Sequence, residues 1–155
     1  MDKPANTLSL RPATSDDIEA VLRIEKSSYK FPWSPGNFLE ELRQPQSHFL
    51  VYTDDETDSI VAGYIVFWDL KDETHILNVA VALDWRGLGM GKKLVSQAIN
   101  HAYREKHKRV FLEVRTSNNG AIALYESMGF IKDHVKKSFY SDGEDAQFMM
   151  LNCQS

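Results

Sequence analysis

Three of the chain's eight glycines stand at alternate positions in the stretch WRGLGMGKKL, residues 85–94. They are Gly87, Gly89 and Gly91, and two lysines follow directly. Glycine lets the backbone turn sharply and lie close to a bulky group, and a helix that begins here offers unpaired N–H groups to an anion. The spacing therefore predicts a phosphate-binding turn at a helix start. On glycine content alone, a flexible turn with solvated lysines is the equal alternative.

Two common phosphate motifs do not fit this stretch. The dinucleotide pattern G-x-G-x-x-G fails because its last position is Lys92. The Walker pattern G-x-x-x-x-G-K-[ST] fails because Arg86 and Lys93 occupy two of its required positions. What remains is R-x-x-G-x-G, formed by Arg86, Gly89 and Gly91 between a buried strand and a helix.

Two side chains further along the chain are candidates for proton transfer. Glu113 is a lone carboxylate in the strand-like run VFLEVR, and partial burial there predicts a raised pKa and a better base. The alternative is a solvent-facing carboxylate paired with Arg115. Tyr125 lies on the apolar face of a predicted helix, as a core tyrosine does. The same position also suits a proton donor with a packed ring and a hydroxyl at a cleft.

The elements that position these residues follow from hydrophobic periodicity. It predicts the order β-α-α-β-β-β-α-β-α-β-β. The runs SHFLVYTD, SIVAGYIVFWDL and ETHILNVAVAL are close enough in sequence to form an antiparallel meander, and the third is apolar enough to be central. The fold class predicted is α/β, with a mixed, mostly antiparallel central sheet, about four flanking helices and a single domain over residues 1–155.

The composition of the chain limits the binding partners and the cellular compartment that can be expected. The chain has 155 residues, 43% of them hydrophobic, and a formal charge of −4. A mildly acidic chain is a poor candidate for non-specific nucleic acid binding, so no nucleic acid partner is predicted. The single cysteine, Cys153, excludes a disulfide within the chain. The sequence shows no secretory signal and no membrane-spanning run, so a cytoplasmic protein is predicted.

A metal site is not predicted from the sequence. Five histidines are present, but they are spread along the chain without the short spacings that are typical of ligand sets. They are His48, His75, His101, His107 and His134.

The motif R-x-x-G-x-G, after a strand and at the start of a helix, resembles the acetyl-CoA loop of the GNAT family of N-acetyltransferases. The predicted element order is similar to that fold along the whole chain. The stretches FPWS, LNVAV, FLEVRTSNNGAIALYESMGF and EDAQFMML resemble the RimI branch, bacterial enzymes that acetylate the N-terminal alanine of small-subunit ribosomal protein eighteen. The resemblance implies direct acetyl transfer from acetyl-CoA to that amine. Another protein N-terminus, a lysine side chain or a small amine is the alternative acceptor.

The resemblance also implies roles for individual residues. Glu113 falls on the branch's base position and Tyr125 on its acid position. In the family, a strand pairs with the pantetheine arm, the next loop holds the pyrophosphate, and an asparagine binds the coenzyme. Those positions are Val79, Ala80 and Val81 in the strand; Gly87, Leu88, Gly89, Met90, Gly91 and Lys92 in the loop; and Asn118.

Three points stay open at this level. Where the family often has an acidic residue and a proline after the strand, this chain has Ala82 and Leu83, which predicts a looser turn. Phe31 and Trp33 in FPWS either form a wall for the acceptor or fasten the loop to the core. A CoA-binding domain without catalysis is a third functional hypothesis, and the presence of both Glu113 and Tyr125 argues against it.

Overall fold

A computed structural model describes residues 8–54 and 60–154. The strands are Leu8–Pro12 (β1), Ser47–Asp54 (β2), Val61–Asp69 (β3), Glu73–Val81 (β4), Arg109–Arg115 (β5), Ile131–Lys136 (β6) and Ala146–Asn152 (β7). The α-helices in these ranges are Ile18–Ser28 (α1), Pro35–Arg43 (α2), Met90–Arg104 (α3) and Asn119–Ser127 (α4). Every predicted element is present in the predicted order. Within the same ranges, no helix has the length and apolarity needed to cross a bilayer.

The seven strands form one sheet in the order β1-β2-β3-β4-β5-β7-β6. The predicted meander is confirmed, because β2, β3 and β4 pair antiparallel in sequence order. The pairing of β4 with β5 is parallel, whereas the other neighbours are antiparallel. The mixed, mostly antiparallel sheet with its four helices confirms the predicted fold class.

Helices cover both faces of this sheet. The apolar stripes of α3 and α4 pack on one face, where Leu94, Ala98 and Ile122 belong to the first hydrophobic cluster. The helices α1 and α2 pack on the other, where Val21 and Phe38 belong to the second. Strand residues alternate between the two clusters, as the two-residue period of a strand requires.

The sheet opens between β4 and β5. These strands pair only over Glu73–His75 and Arg109–Phe111, and their remaining halves separate. The register of β3 with β4 also shifts opposite Leu77, which reverses the alternation of side chains along β4. As a result Ile76 and Val79, three residues apart, both face the first cluster. The separation and the bulge together form a cleft at the centre of the sheet.

The fold also gathers histidines that are far apart in sequence. His48, His101 and His107 surround Asp69 at the end of β3. Three of the five histidines that are scattered in the sequence therefore meet in space, because β2, β3 and α3 come together at this point.

Candidate active site

The turn between β4 and α3 carries the glycine-rich stretch and is open on one side. Gly87 and Gly89 both have φ of +80°, a left-handed conformation that glycine adopts without strain. A Cβ at either position would meet nothing within 4 Å. Gly89 directly precedes Met90, the first residue of α3, so the N–H groups of the first helical turn have no intrahelical partner. The turn has the form of an anion-binding cradle that its own side chains do not fill.

This cradle is fastened to the fold by the residues before it. Leu83–Trp85 forms a 3₁₀ turn in which the Trp85 N–H donates to the Ala82 carbonyl at 2.9 Å. The Trp85 ring is buried against Ala62 and Met90. Burial of this indole therefore holds the segment in place.

The edge of β4 that borders the opening has two of its carbonyls fixed by side chains. The Tyr29 hydroxyl donates to the Val79 carbonyl, and Arg86 Nε donates to the Val81 carbonyl at 2.9 Å. In a strand, the N–H and carbonyl of one residue point to the same side. The N–H groups of Val79 and Val81 therefore also face the opening, whereas Ala80 between them directs its N–H toward β3.

The cleft between β4 and β5 brings together four of the predicted site residues from separate parts of the chain. They are Val79 on β4, Glu113 on β5, Asn118 at the start of α4 and Tyr125 within α4. Beside it, a second concavity is lined by the cradle. Its predicted site residues are Val81, Gly87, Gly89, Met90, Gly91 and Lys92. Neither concavity is lined by Ala80, which is buried, or by Leu88, which is exposed.

Glu113 is held by two basic side chains, those of His75 and Lys136. Its Oε1 lies 2.7 Å from His75 Nε2, its Oε2 accepts a hydrogen bond of 2.6 Å from Lys136 Nζ, and its side chain is 10% exposed. Burial raises the pKa of the carboxyl, but the hydrogen bonds and charges of His75 and Lys136 outweigh it and lower the pKa to about 2. The predicted rise in pKa is therefore wrong. So is the alternative pairing with Arg115.

Arg115 instead ties the connection between β6 and β7 to the rim of the cleft. Its Nη1 donates to Asp142 at 3.0 Å and to Glu144 at 2.9 Å. The guanidinium also lies 4.1 Å from the centre of the Tyr140 ring and 5.1 Å from that of Phe31. Sequence reasoning missed this arrangement, since it joins three segments that are distant along the chain.

The side chains of α4 have structural roles as well as positions in the cleft. Tyr125 is 7% exposed and packs on Phe130, and burial raises the pKa of its hydroxyl. The phenol is therefore protonated at neutral pH. Asn118 caps the helix, because its Oδ1 accepts the Ala121 N–H at 3.1 Å. Both structural alternatives are present, and both residues also line the cleft.

The two aromatic residues of FPWS differ in their surroundings. Trp33 packs on Phe38 with ring centres 5.1 Å apart and so fastens the segment to the core. Phe31 is 48% exposed at the rim of the cleft. Trp33 therefore fits the core interpretation and also lines the cleft, whereas the more exposed Phe31 is available to a ligand.

A buried carboxylate among the residues that line the cleft was missed by sequence reasoning. Glu25 is 1% exposed and accepts hydrogen bonds from the Trp33 N–H and from Asn78 Nδ2, both at 2.9 Å, and from the Tyr64 hydroxyl. It connects α1, the FPWS segment, β3 and β4. The signal was present in the sequence, because Glu25 follows Val21 by four residues and so continues the apolar stripe of α1.

We expect Glu25→Ala to lower the free energy of unfolding by about 3 kcal/mol, because three buried donors lose their acceptor. Urea unfolding followed by circular dichroism measures this change. The control is Glu19→Ala on the same helix, whose carboxylate is 88% exposed and pairs only with Arg23 among the described ion pairs. It should change stability by less than about 0.5 kcal/mol. Equal losses in the two variants would contradict a structural role for Glu25.

Comparison with known proteins agrees with this geometry. The family model described as the acetyltransferase (GNAT) family matches residues 18–130. The chain belongs to this family, and it is an N-acetyltransferase.

Similar proteins indicate which kind of N-acetyltransferase this chain resembles. A Bacillus subtilis (strain 168) protein, named as a candidate ribosomal protein bS18-alanine N-acetyltransferase, is 36% identical over 145 residues, which are 92% of this chain and 94% of that one. The crystal structure of the ribosomal-protein-S18-alanine N-acetyltransferase from Escherichia coli superposes with a TM-score of 0.83 at 29% identity, covering 96% and 95% of the two chains. The crystal structure of the NatC complex bound to Gag peptide and CoA contains a chain that superposes with a TM-score of 0.79 at 25% identity. The match covers 95% of this chain and 99% of that one. The chain is thus similar to the RimI branch.

Proposed function

We propose that this protein transfers the acetyl group of acetyl-CoA to the α-amino group of an N-terminal alanine, with ribosomal protein bS18 as the acceptor. The observation that carries the proposal is the cleft in which Val79, Glu113 and Tyr125 meet beside the glycine cradle. The names of the similar enzymes supply the acceptor. We place the reaction in the cytoplasm, where ribosomal proteins are made.

The cradle supports acetyl-CoA as the acetyl donor. A diphosphate fits an open turn of backbone N–H groups at a helix start, and the empty side of Gly87 and Gly89 leaves it room. Residues 87–92 would hold the phosphates, the edge of β4 at Val79–Val81 would pair with the pantetheine arm, and Asn118 would contact it nearby. Bound there, acetyl-CoA supplies the thioester carbonyl that the amine attacks. The N–H of Val79, which faces the opening, would donate to the carbonyl oxygen as it gains negative charge.

Glu113 acts as the base in this proposal despite its low pKa. A free α-amino group has a pKa of about 8, but its nitrogen becomes far more acidic as the bond to the carbonyl carbon forms. An ionised carboxylate in the cleft, acting directly or through a water, takes that proton at this point. The 2.7 Å contact with His75, whose side chain is 18% exposed, holds the carboxylate of Glu113 in place for this step.

Tyr125 completes the transfer as the acid. Collapse of the tetrahedral intermediate breaks the carbon–sulfur bond and releases a thiolate, which the Tyr125 hydroxyl protonates. Burial keeps this hydroxyl protonated before the step. Direct transfer of this kind requires no acyl-enzyme. On the acceptor side, Phe31 and Tyr140 flank the entrance to the cleft.

An acceptor competition tests the proposal. We expect a peptide with the host bS18 N-terminus, beginning with alanine, to have kcat/KM at least about tenfold above competing amines. The matched competitor is the same peptide with a blocked N-terminus and one free lysine, and a polyamine is the second. Preference for either competitor would contradict the acceptor but leave acetyl transfer intact. Binding of acetyl-CoA without transfer to any acceptor would contradict catalysis itself.

A further inference from the structure

A cluster of three histidines and one aspartate lies outside the cleft and the cradle. His48 on β2, Asp69 at the end of β3 and His101 on α3 each offer a potential ligand atom, and these atoms lie within 4.8 Å of one another. His101 Nε2 is 2.8 Å from Asp69 Oδ2. His48 stacks on Phe67, whose side chain belongs to the α3-covered face of the sheet. The cluster thus joins the last turns of α3 to the ends of two strands.

We propose that His48, Asp69 and His101 bind a divalent zinc ion, with water in the fourth position. Two imidazoles and a carboxylate are a donor set that suits Zn²⁺, which favours four tetrahedral ligands. Bond lengths of about 2.0–2.2 Å place tetrahedral ligand atoms about 3.4 Å apart. The His101–Asp69 hydrogen bond opens by roughly half an ångström to admit the ion, while His48 moves inward by rotation of its side chain.

His107 holds the aspartate in position for this role. Its Nε2 lies 3.5 Å from Asp69 Oδ1, which also accepts a hydrogen bond of 3.0 Å from the Lys71 N–H, whereas His101 contacts the other oxygen, Oδ2. Its Nδ1 is 2.8 Å from the Thr74 hydroxyl, which fixes the orientation of the ring. Outer partners that contact a ligating carboxylate help to orient it in metal sites. The His107 side chain is 1% exposed, so its position is set by the fold.

The proposed zinc site has one buried ligand, and its other ligands are open enough to solvent for the ion to enter. The side chain of His101 is 9% exposed and that of Asp69 is 27% exposed. The ion therefore approaches past Asp69 and the half-buried His48, and it meets a ring already held by the fold. Binding would clamp the end of α3 to β2 and β3, and so would stabilise the native state without contacting the acetyl-transfer cleft.

Cobalt titration of the full-length, metal-free protein tests the inference. Co²⁺ in a four-coordinate zinc site gives a strong visible absorption, and Zn²⁺ added afterwards should remove it at one equivalent. The titration uses the Cys153→Ser background so that the one thiol of the chain does not contribute. We also expect Zn²⁺ to raise the midpoint of thermal unfolding, a readout that is independent of acetyl transfer.

Substitutions locate the ion. We expect His48→Gln and His101→Gln each to weaken Zn²⁺ binding by more than about 100-fold, and His107→Gln by about 10- to 100-fold, as for a lost outer partner. The control is His134→Gln on β6, which replaces an exposed histidine that pairs with Asp133. This variant should bind Zn²⁺ with the affinity of the parent protein. Circular dichroism and the unfolding transition establish that each variant is folded.

Two results would overturn the inference. One is the absence of Co²⁺ and Zn²⁺ binding by the otherwise unsubstituted folded protein, which would leave the cluster as a hydrogen-bonded structural element. The other is binding that His48→Gln and His101→Gln leave unchanged, which would place the ion elsewhere. Neither result bears on the proposed acetyl transfer, since none of these residues lines the cleft or the cradle.

Discussion

Replacement of Glu113 by glutamine is expected to lower kcat by about 10²- to 10⁴-fold and to leave the affinity for acetyl-CoA unchanged. The amide has the shape of the carboxylate but lacks its charge and cannot take a proton from the attacking amine. Glu113 lines the cleft, whereas the phosphates would bind in the separate concavity lined by the cradle. Steady-state kinetics with an alanine-initial peptide measures the first quantity, and calorimetry with acetyl-CoA measures the second.

The control for this substitution is Glu73→Gln. Glu73 also lies on a central strand and pairs with an arginine, Arg109, but it is outside the cleft and 30% exposed. We expect its kcat to stay within about threefold of the parent, since surface ion pairs contribute little. Normal turnover by Glu113→Gln across the pH range would mean that the base is another group.

The pH dependence follows from the same ion pairs. The pKa of Glu113 is lowered to about 2, so the carboxylate is ionised throughout the range in which acetyl transfer is measured. The stability that the pairs contribute is present above the unfolded pKa and is lost as pH falls through the folded value. We therefore expect one acidic limb in the profile of kcat/KM, set by the acceptor amine near pH 8, and none from Glu113 between about pH 5 and 7.

The direction of the Glu113 pKa shift, opposite to the one expected, shows where sequence reasoning stops. The two partners of Glu113 come from β4 and β6, 38 and 23 residues away, and neither spacing carries a signal. The meander and the helices were predicted because strand and helix periods are local properties of the chain. The glycine cradle was predicted because backbone freedom is also local.

Some buried polar groups can be recognised from local sequence, and others cannot. Glu25 was detectable, since a carboxylate on an apolar helical stripe must find buried donors. The contact between Asp69 and His101 was not, because it depends on how α3 crosses the sheet, 32 residues from β3. Side chains that meet through tertiary packing are therefore the part of a site that a single sequence leaves undetermined.

The second large effect is expected at the cradle. We predict that Gly89→Ala weakens acetyl-CoA binding by at least about tenfold, equivalent to about 1.4 kcal/mol. Gly89 has φ of +80°, where an L-residue is disfavoured by about 1–2 kcal/mol, and its Cβ would project into the open side of the turn. Either the methyl group holds the phosphates off the N–H groups, or the turn relaxes and redirects them. Calorimetric titration with acetyl-CoA measures the loss.

Gly143→Ala separates loss of the cradle from general strain. Gly143 lies between β6 and β7 and has φ of +92°, and a Cβ at this position would also meet nothing within 4 Å. Both substitutions therefore carry a similar backbone penalty and should lower the free energy of unfolding by similar amounts. Only Gly89→Ala should weaken acetyl-CoA binding, because only Gly89 lines the concavity at the start of α3. Equal weakening by the two would assign the effect to lost stability, and unchanged binding in Gly89→Ala would place the diphosphate outside this turn.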